Sequence, residues 1–255
     1  MKQNNIFSIR RLYLLIRRYV LSNTSGLFIA FGGLAGTLMV ISLLVAYFNP
    51  ANLPGLIPFY LSIMFIGGYI FTSNIFSELD YPRRAHHYLT LPVSVTERLG
   101  SAWIVTGILY PLLAFLSIGL IVFVANLIMN FAFDLQPFQG VFSQTGLNAI
   151  RTYLVTQSVF LLGAAYFRKN NFLKTLLAMF VVGMVLAVIT GLFGWMLLSP
   201  YVPGGEFSIG PGNLSAGMES LFMNTIPATA RILFNYLAVP FFLAVTWFTL
   251  KEREV

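Results

Sequence analysis

Long apolar runs alternate with short polar breaks along most of this chain. Six runs are long enough to predict helices that cross a lipid bilayer, because about 20 apolar residues span its hydrocarbon core. They cover residues 27–48, 56–76, 101–127, 147–167, 175–198 and 226–250. The pattern therefore predicts an all-α, polytopic integral membrane protein with six transmembrane helices, forming one domain over residues 1–255.

A basic segment precedes the first predicted span. If residues 5–22 are helical, four arginines fall within one arc and the opposite side is aliphatic and aromatic. The arginines are Arg10, Arg11, Arg17 and Arg18. A basic face opposite an apolar one is typical of an amphipathic helix lying in the membrane interface. The alternative is a cytoplasmic extension of the first span.

Composition agrees with a chain that has lipid as its solvent. Hydrophobic residues make up 58% of the 255 residues and charged residues only 9%, against about 25% in a typical soluble domain. There is no cysteine, so neither a disulfide nor a thiolate metal site can form. The formal net charge of +7 favours contact with anionic lipid over nucleic acid in a membrane protein.

The basic residues also predict the topology. If the six runs span the membrane, 13 of the 15 Lys and Arg residues lie on one side. The other two, Arg151 and Arg231, lie just inside the outer ends of spans four and six, where they are expected to contact lipid headgroups or a substrate. The positive-inside rule therefore predicts cytoplasmic N- and C-termini.

The most highly charged break is residues 77–100, SELDYPRRAHHYLTLPVSVTERLG. Helical spacing of apolar residues between Pro82 and Pro92 predicts a short amphipathic helix across the cytoplasmic face. Ser94 and Glu97 have the S-x-x-E spacing of a capping box, which predicts the start of the third span's helix. Further along that span, Pro111 predicts a kink.

Glu78 lies at the C-terminal end of span two, where a negative charge opposes the helix dipole. Two partners can compensate: Arg83 or Arg84 within the loop, or a cation on a docked protein. For Asp80 we expect the pairing within the loop. His86 and His87 are the only histidines; they are adjacent, and no third ligand is near in sequence, so we predict no metal site.

Motifs for catalysis are missing from the sequence. There is neither a GxxxxGK[ST] phosphate-binding loop nor an HExxH zinc motif. There is also no acid or histidine in the middle of a predicted span, which an ion-driven carrier would need. The sequence therefore predicts that the chain is not an enzyme and that an energy source lies outside it. The Gly/Pro-rich connection 199–225 is predicted to be external, either a plain loop or, from Leu214 onward, a re-entrant turn.

The run YLTLPVSVTERLGSAW, residues 88–103, resembles the segment after the second span in permeases of ABC-2-type transporters. The basic N-terminal helix, the six spans, the cytoplasmic termini and the long connection before the last span are also similar to that family. The arginine that often follows the family's proline motif has no counterpart at Val95 or Thr96, and the nearest arginine is Arg98.

This resemblance implies the transmembrane subunit of an exporter in the bacterial cytoplasmic (inner) membrane. It implies a homodimer or a heterodimer with another permease, and ATPase subunits that bind ATP and Mg outside this chain. Connection 199–225 would correspond to the family's re-entrant external helices. The 77–100 loop would supply the coupling helix, with Glu78 facing the ATPase. The candidate coupling residues are Glu78, Arg83, Arg84, Tyr88, Leu91, Pro92, Ser94 and Glu97.

Two other functions stay open at this point. One is a secondary carrier or channel without an ATPase, which a buried ionisable residue in mid-span would favour. The other is a membrane docking or assembly subunit that transports nothing, because docking and coupling need the same cytoplasmic surface.

Overall fold

The computed structural model describes residues 7–21, 24–49, 52, 55–80, 92–133, 142–198 and 220–253. All regular secondary structure within these ranges is helical. The α-helices are α1 (Ile9–Leu21), α2 (Thr24–Phe48), α3 (Leu56–Ser73), α4 (Val95–Trp103), α5 (Tyr110–Phe133), α6 (Gln144–Tyr166), α7 (Asn171–Leu198), α8 (Ile226–Ile232) and α9 (Ala238–Glu252).

Tighter and wider helical turns join several of these helices. A 3₁₀ turn, Ser77–Asp80, follows α3, and a π-helical turn, Ile104–Leu109, joins α4 to α5. Two more π turns, Leu221–Thr225 and Leu233–Leu237, precede and follow α8. Helices thus overlap every segment that the hydropathy pattern predicted as a span.

Within the described ranges, four helical stretches are long and apolar enough to cross a membrane: Leu56–Leu79, Val95–Ile128, Asn171–Met196 and Ile226–Glu252. In α2 the corresponding apolar stretch, Ala35–Phe48, is shorter. Helix α6 falls outside this set because polar residues, among them Arg151 and Gln157, interrupt its apolar sequence. The structure therefore confirms an all-helical protein with several helices suited to a membrane.

Two apolar clusters form the core. The first joins α2, α3, α5 and α6, with Leu38, Met64, Phe115 and Tyr153 buried within it. The second joins the end of α3, α4, α6 and α9, and Ile16 and Tyr19 of α1 pack against it. Helix α6 lies at the centre because it contacts α3, α7 and α9.

Small side chains let the helices approach closely around α6. A Cβ added to Gly163 would stand 1.8 Å from the Thr175 hydroxyl oxygen on α7. A Cβ added to Gly68 of α3 would stand 2.5 Å from Cε2 of Tyr153 on α6. Real Cβ atoms do not come so near other atoms, so a larger residue at either position would require the neighbouring side chains or helices to shift.

Helix α7 is packed only near its start. Asn171 and Thr175 are buried there, and Phe172 stacks on Phe160 of α6. From residue 180 to residue 193 every side chain is exposed in the described structure, and residues 224–237 are likewise all exposed. These two segments thus present apolar surface to lipid or to another chain.

Candidate functional site

Helix α1 binds both ends of the charged loop. Its arginines at positions 11 and 18 are seven residues apart and so lie on one face, about 10 Å apart along the axis. Arg11 contacts the segment that begins α4, whereas Arg18 contacts the segment that ends α3. One short helix therefore holds the chain just before and just after the loop.

Glu97 is the centre of the contact at α4. Its carboxylate accepts hydrogen bonds from Nε of Arg11 at 3.1 Å and Nη2 of Arg11 at 2.9 Å. The backbone N–H groups of Ser8 and Ser94 also donate to it, the latter over 2.9 Å. The Glu97 side chain is 0% exposed. Its charge is therefore balanced by one guanidinium and two backbone amides, as burial of a carboxylate requires.

The predicted capping box is confirmed. The Ser94 hydroxyl accepts from the Glu97 backbone N–H over 3.3 Å, while the Glu97 carboxylate accepts from the Ser94 backbone N–H. Helix α4 accordingly begins at Val95. Arg11 also donates to the carbonyl oxygen of Pro92, over 3.3 Å, so α1 fixes the turn that leads into α4 as well as its cap.

Glu78 has a cation that neither sequence-based alternative named. Nη2 of Arg18 lies 2.8 Å from Oε1 and 2.7 Å from Oε2 of Glu78. The side chains are 42% and 35% exposed, respectively. Arg18 thus compensates for a carboxylate placed beyond the C-terminus of α3, where the helix dipole is unfavourable to it.

Several predicted site residues lie outside the described residues. They are Arg83, Arg84, His86, His87, Tyr88 and Leu91, together with the whole of the predicted coupling helix, residues 82–91. Most of connection 199–225 also lies outside them, and its described part is the helical segment that begins at Ser220. Among the candidate coupling residues, the structure brings Pro92, Ser94 and Glu97 together through Arg11 and places Glu78 on Arg18.

Arg151 and Arg231, the two remaining candidate contact residues, are separate from this site. Arg151 lies on α6 and Arg231 on α8, and both are exposed. Neither forms a salt bridge with another described residue. Their exposure leaves both side chains accessible to a headgroup or an anionic ligand.

Sequence reasoning did not identify a set of buried polar residues between α6 and its neighbours. Tyr69 of α3 pairs with Thr156 of α6 over 2.6 Å, and Gln157 of α6 donates to the Thr106 hydroxyl over 2.6 Å. Gln157 and Thr106 are both 0% exposed. The available signal was a glutamine and a threonine in the middle of predicted spans, where an unpaired polar group is costly.

Comparisons with protein-family models, with curated proteins and with solved structures find nothing that matches this chain.

Proposed function

We propose that this chain is the transmembrane permease subunit of an ATP-driven exporter, and that a separate ATPase subunit docks on the loop between α3 and α4. The proposal includes six spans, cytoplasmic termini and α1 lying in the membrane interface. The observation that carries it is the attachment of both loop ends to α1 through Arg11 and Arg18. A loop held in this way can pass a force to the helices at its ends.

The force has a continuous path into the membrane. Glu97 is in the first turn of α4, and α4 continues through the π turn into α5, which packs on α2 and α3. A partner that displaces the loop therefore tilts the helix that begins at the capping box. Movement of α4 and α5 against α2 and α3 would open and close a path for the substrate, while ATP and Mg are bound by the partner.

The distribution of buried charge supports an external source of energy. Among the described residues, Glu97 and Arg98 are the only buried charged side chains, and both lie in the first turn of α4. Ion-driven carriers place ionisable groups deep within their spans. The described helices provide no such group, which favours ATP hydrolysis by a partner over coupling to an ion gradient.

A second permease subunit is part of the proposal. Small residues recur every four positions on the exposed part of α7, at Gly183, Ala187 and Gly191. A Cβ added to either glycine would meet no atom within 4 Å. Stripes of small residues allow transmembrane helices to approach closely, and they support dimerisation through α7. Arg151 and Arg231 would then face headgroups or an anionic part of the substrate.

Purification of the tagged full-length chain in a mild detergent tests the proposal. We expect an ATP-hydrolysing protein to co-purify and to be identified by mass spectrometry. Changing Arg83 and Arg84 together to alanine should reduce its recovery. The matched control changes Arg168 and Lys169 to alanine, which removes the same charge from the turn between α6 and α7. If the purified chain is intact and monodisperse and no ATPase co-purifies with it, the proposal is wrong.

A further inference from the structure

The π turn between α4 and α5 leaves one backbone carbonyl without a hydrogen-bond donor from its own helix. Tyr110 N–H donates to the carbonyl of Val105, five residues earlier. By the same spacing the carbonyl of Thr106 would accept from residue 111, which is Pro111 and has no N–H. The hydroxyl of Tyr153 on α6 donates to this carbonyl instead, over 3.0 Å.

The same turn fixes the orientation of the Gln157 amide. The Thr106 hydroxyl donates its only proton to the carbonyl of Ala102, over 2.8 Å. It must therefore accept from Gln157, so the amide nitrogen faces Thr106 and the amide oxygen faces away. That oxygen, Oε1, is buried and has no hydrogen-bond partner among the described residues.

A second buried polar atom without a partner lies beside it. The indole Nε1 of Trp103 has no acceptor within the described part of the chain. Both Nε1 of Trp103 and Oε1 of Gln157 lie 3.3 Å from the point where a Cβ on Gly107 would stand. A buried donor and a buried acceptor thus lie beside the same point next to Gly107, and a methyl group at that point would crowd both atoms.

We propose that one water molecule is bound over Gly107, accepting from Nε1 of Trp103 and donating to Oε1 of Gln157. The site requires a ligand that both accepts and donates, because one wall is an N–H and the other a carbonyl oxygen. An indole N–H disfavours a cation, and the short distances favour one oxygen atom over a larger alcohol. Buried waters commonly bridge polar groups that have no other partner.

This site lies deep in the protein. Gly107 is ten residues beyond Glu97, or about 15 Å along the helix, which is roughly half the hydrocarbon thickness. The water would thus complete the hydrogen bonding where α4, the π turn and α6 meet. Because π turns often mark functional positions in helices, a hydrated turn here would let α4 bend relative to α5 without exposing bare polar groups.

The direct test is a density map of the full-length protein in a lipid nanodisc, at a resolution that shows ordered water. We expect a water peak within hydrogen-bond distance of both Trp103 Nε1 and Gln157 Oε1. A map in which Nε1 bonds directly to Oε1, with no peak between them, would overturn the proposal.

Thermal unfolding in detergent provides an independent readout. Gly107→Ala should lower Tm by several degrees because its methyl group displaces the water, whereas the control Gly36→Ala, at an exposed glycine of α2 with open space around it, should leave Tm unchanged or slightly higher. The Trp103→Phe variant lacks the indole donor. In that variant, Gly107→Ala should lower Tm by less than half as many degrees as it does in the unaltered protein. If Gly107→Ala lowers Tm equally with and without the indole of Trp103, the bridging water is contradicted.

Discussion

The two ends of the charged loop are both held by α1, but in different ways. At the α4 end, the Glu97 carboxylate is inaccessible to solvent and receives hydrogen bonds from Arg11, Ser8 and Ser94. At the α3 end, Glu78 has one arginine, and both partners are more than one-third exposed. Similar residue types thus make a buried, many-bonded contact at one end and a solvated ion pair at the other.

The two contacts therefore differ in how much they stabilise the fold and in how easily they can open. A buried carboxylate becomes strongly destabilising when its partners are removed, so the Glu97 end is suited to keep the loop firmly connected to the start of α4. An exposed ion pair contributes only about 0–1 kcal/mol, so the Glu78 end can open at little cost. We therefore expect the Arg18–Glu78 contact to be the one that opens when a docked partner moves the loop and, with it, α4.

The largest effect on stability should come from Glu97→Ala. The substitution leaves the Arg11 guanidinium and two backbone N–H groups without their acceptor and removes the capping box, and we expect it to lower the free energy of unfolding by about 3–5 kcal/mol. Thermal unfolding in detergent measures this. Glu252→Ala, at an exposed glutamate of α9, is the control. Equal Tm values for the two variants would show that the Glu97 end is not structural.

Arg11→Ala should have the next largest effect. Glu97 would keep its bonds from Ser8 and Ser94 but lose its only cation in the described structure, at a cost of about 1–3 kcal/mol. Its matched control is Arg18→Ala, the equivalent change seven residues along α1. If Arg18→Ala is as destabilising as Arg11→Ala, the distinction between the two ends is wrong.

Ser94→Ala should lower the free energy of unfolding by about 1 kcal/mol, as the loss of an N-cap side chain usually does. The effect is smaller than for Glu97 because the Ser94 backbone N–H still donates to the carboxylate. Ser94→Thr retains a hydroxyl and should restore most of the loss. Chemical unfolding of the three proteins measures the difference, and full stability of Ser94→Ala would mean that α4 does not depend on this cap.

The smallest change in stability should follow Arg18→Ala, at about 0–1 kcal/mol. Because the Arg18–Glu78 pair is exposed, salt screens it, and the difference from the unaltered protein should vanish near 1 M salt. The corresponding difference for Arg11→Ala should persist, since Glu97 is buried. Chemical unfolding at low and high salt measures both differences. If Arg18→Ala lowers the free energy of unfolding equally at both salt concentrations, the Arg18–Glu78 contact is not a solvated ion pair.

The local elements followed from the sequence more readily than the contacts between them. The S-x-x-E spacing predicted the capping box of α4, and the basic repeat predicted α1, because both depend on residues close in sequence. Hydropathy predicted helices at all six apolar segments. Helix α6 shows the limit of that signal, since Gln157 and Ser158 lower its apolarity and are nevertheless buried.

The partners of the loop carboxylates could not be read from the sequence. Arg11 and Glu97 are 86 residues apart, and Arg18 and Glu78 are 60 apart. A helical arc shows that two arginines share a face, but only the packing of α1 on α4 selects which carboxylates they reach. The bridge from Gln157 to Thr106 was missed for the same reason.

A charge exchange at Arg18 and Glu78 tests most directly whether α1 couples the loop to an ATPase. In the purified complex, Glu78→Lys should abolish stimulated ATP hydrolysis while leaving the complex intact, because Arg18 and the new lysine repel each other. Adding Arg18→Glu restores an opposite-charge pair and should recover at least half of the activity. Unchanged hydrolysis with Glu78→Lys alone, or no recovery in the double variant, would contradict the account.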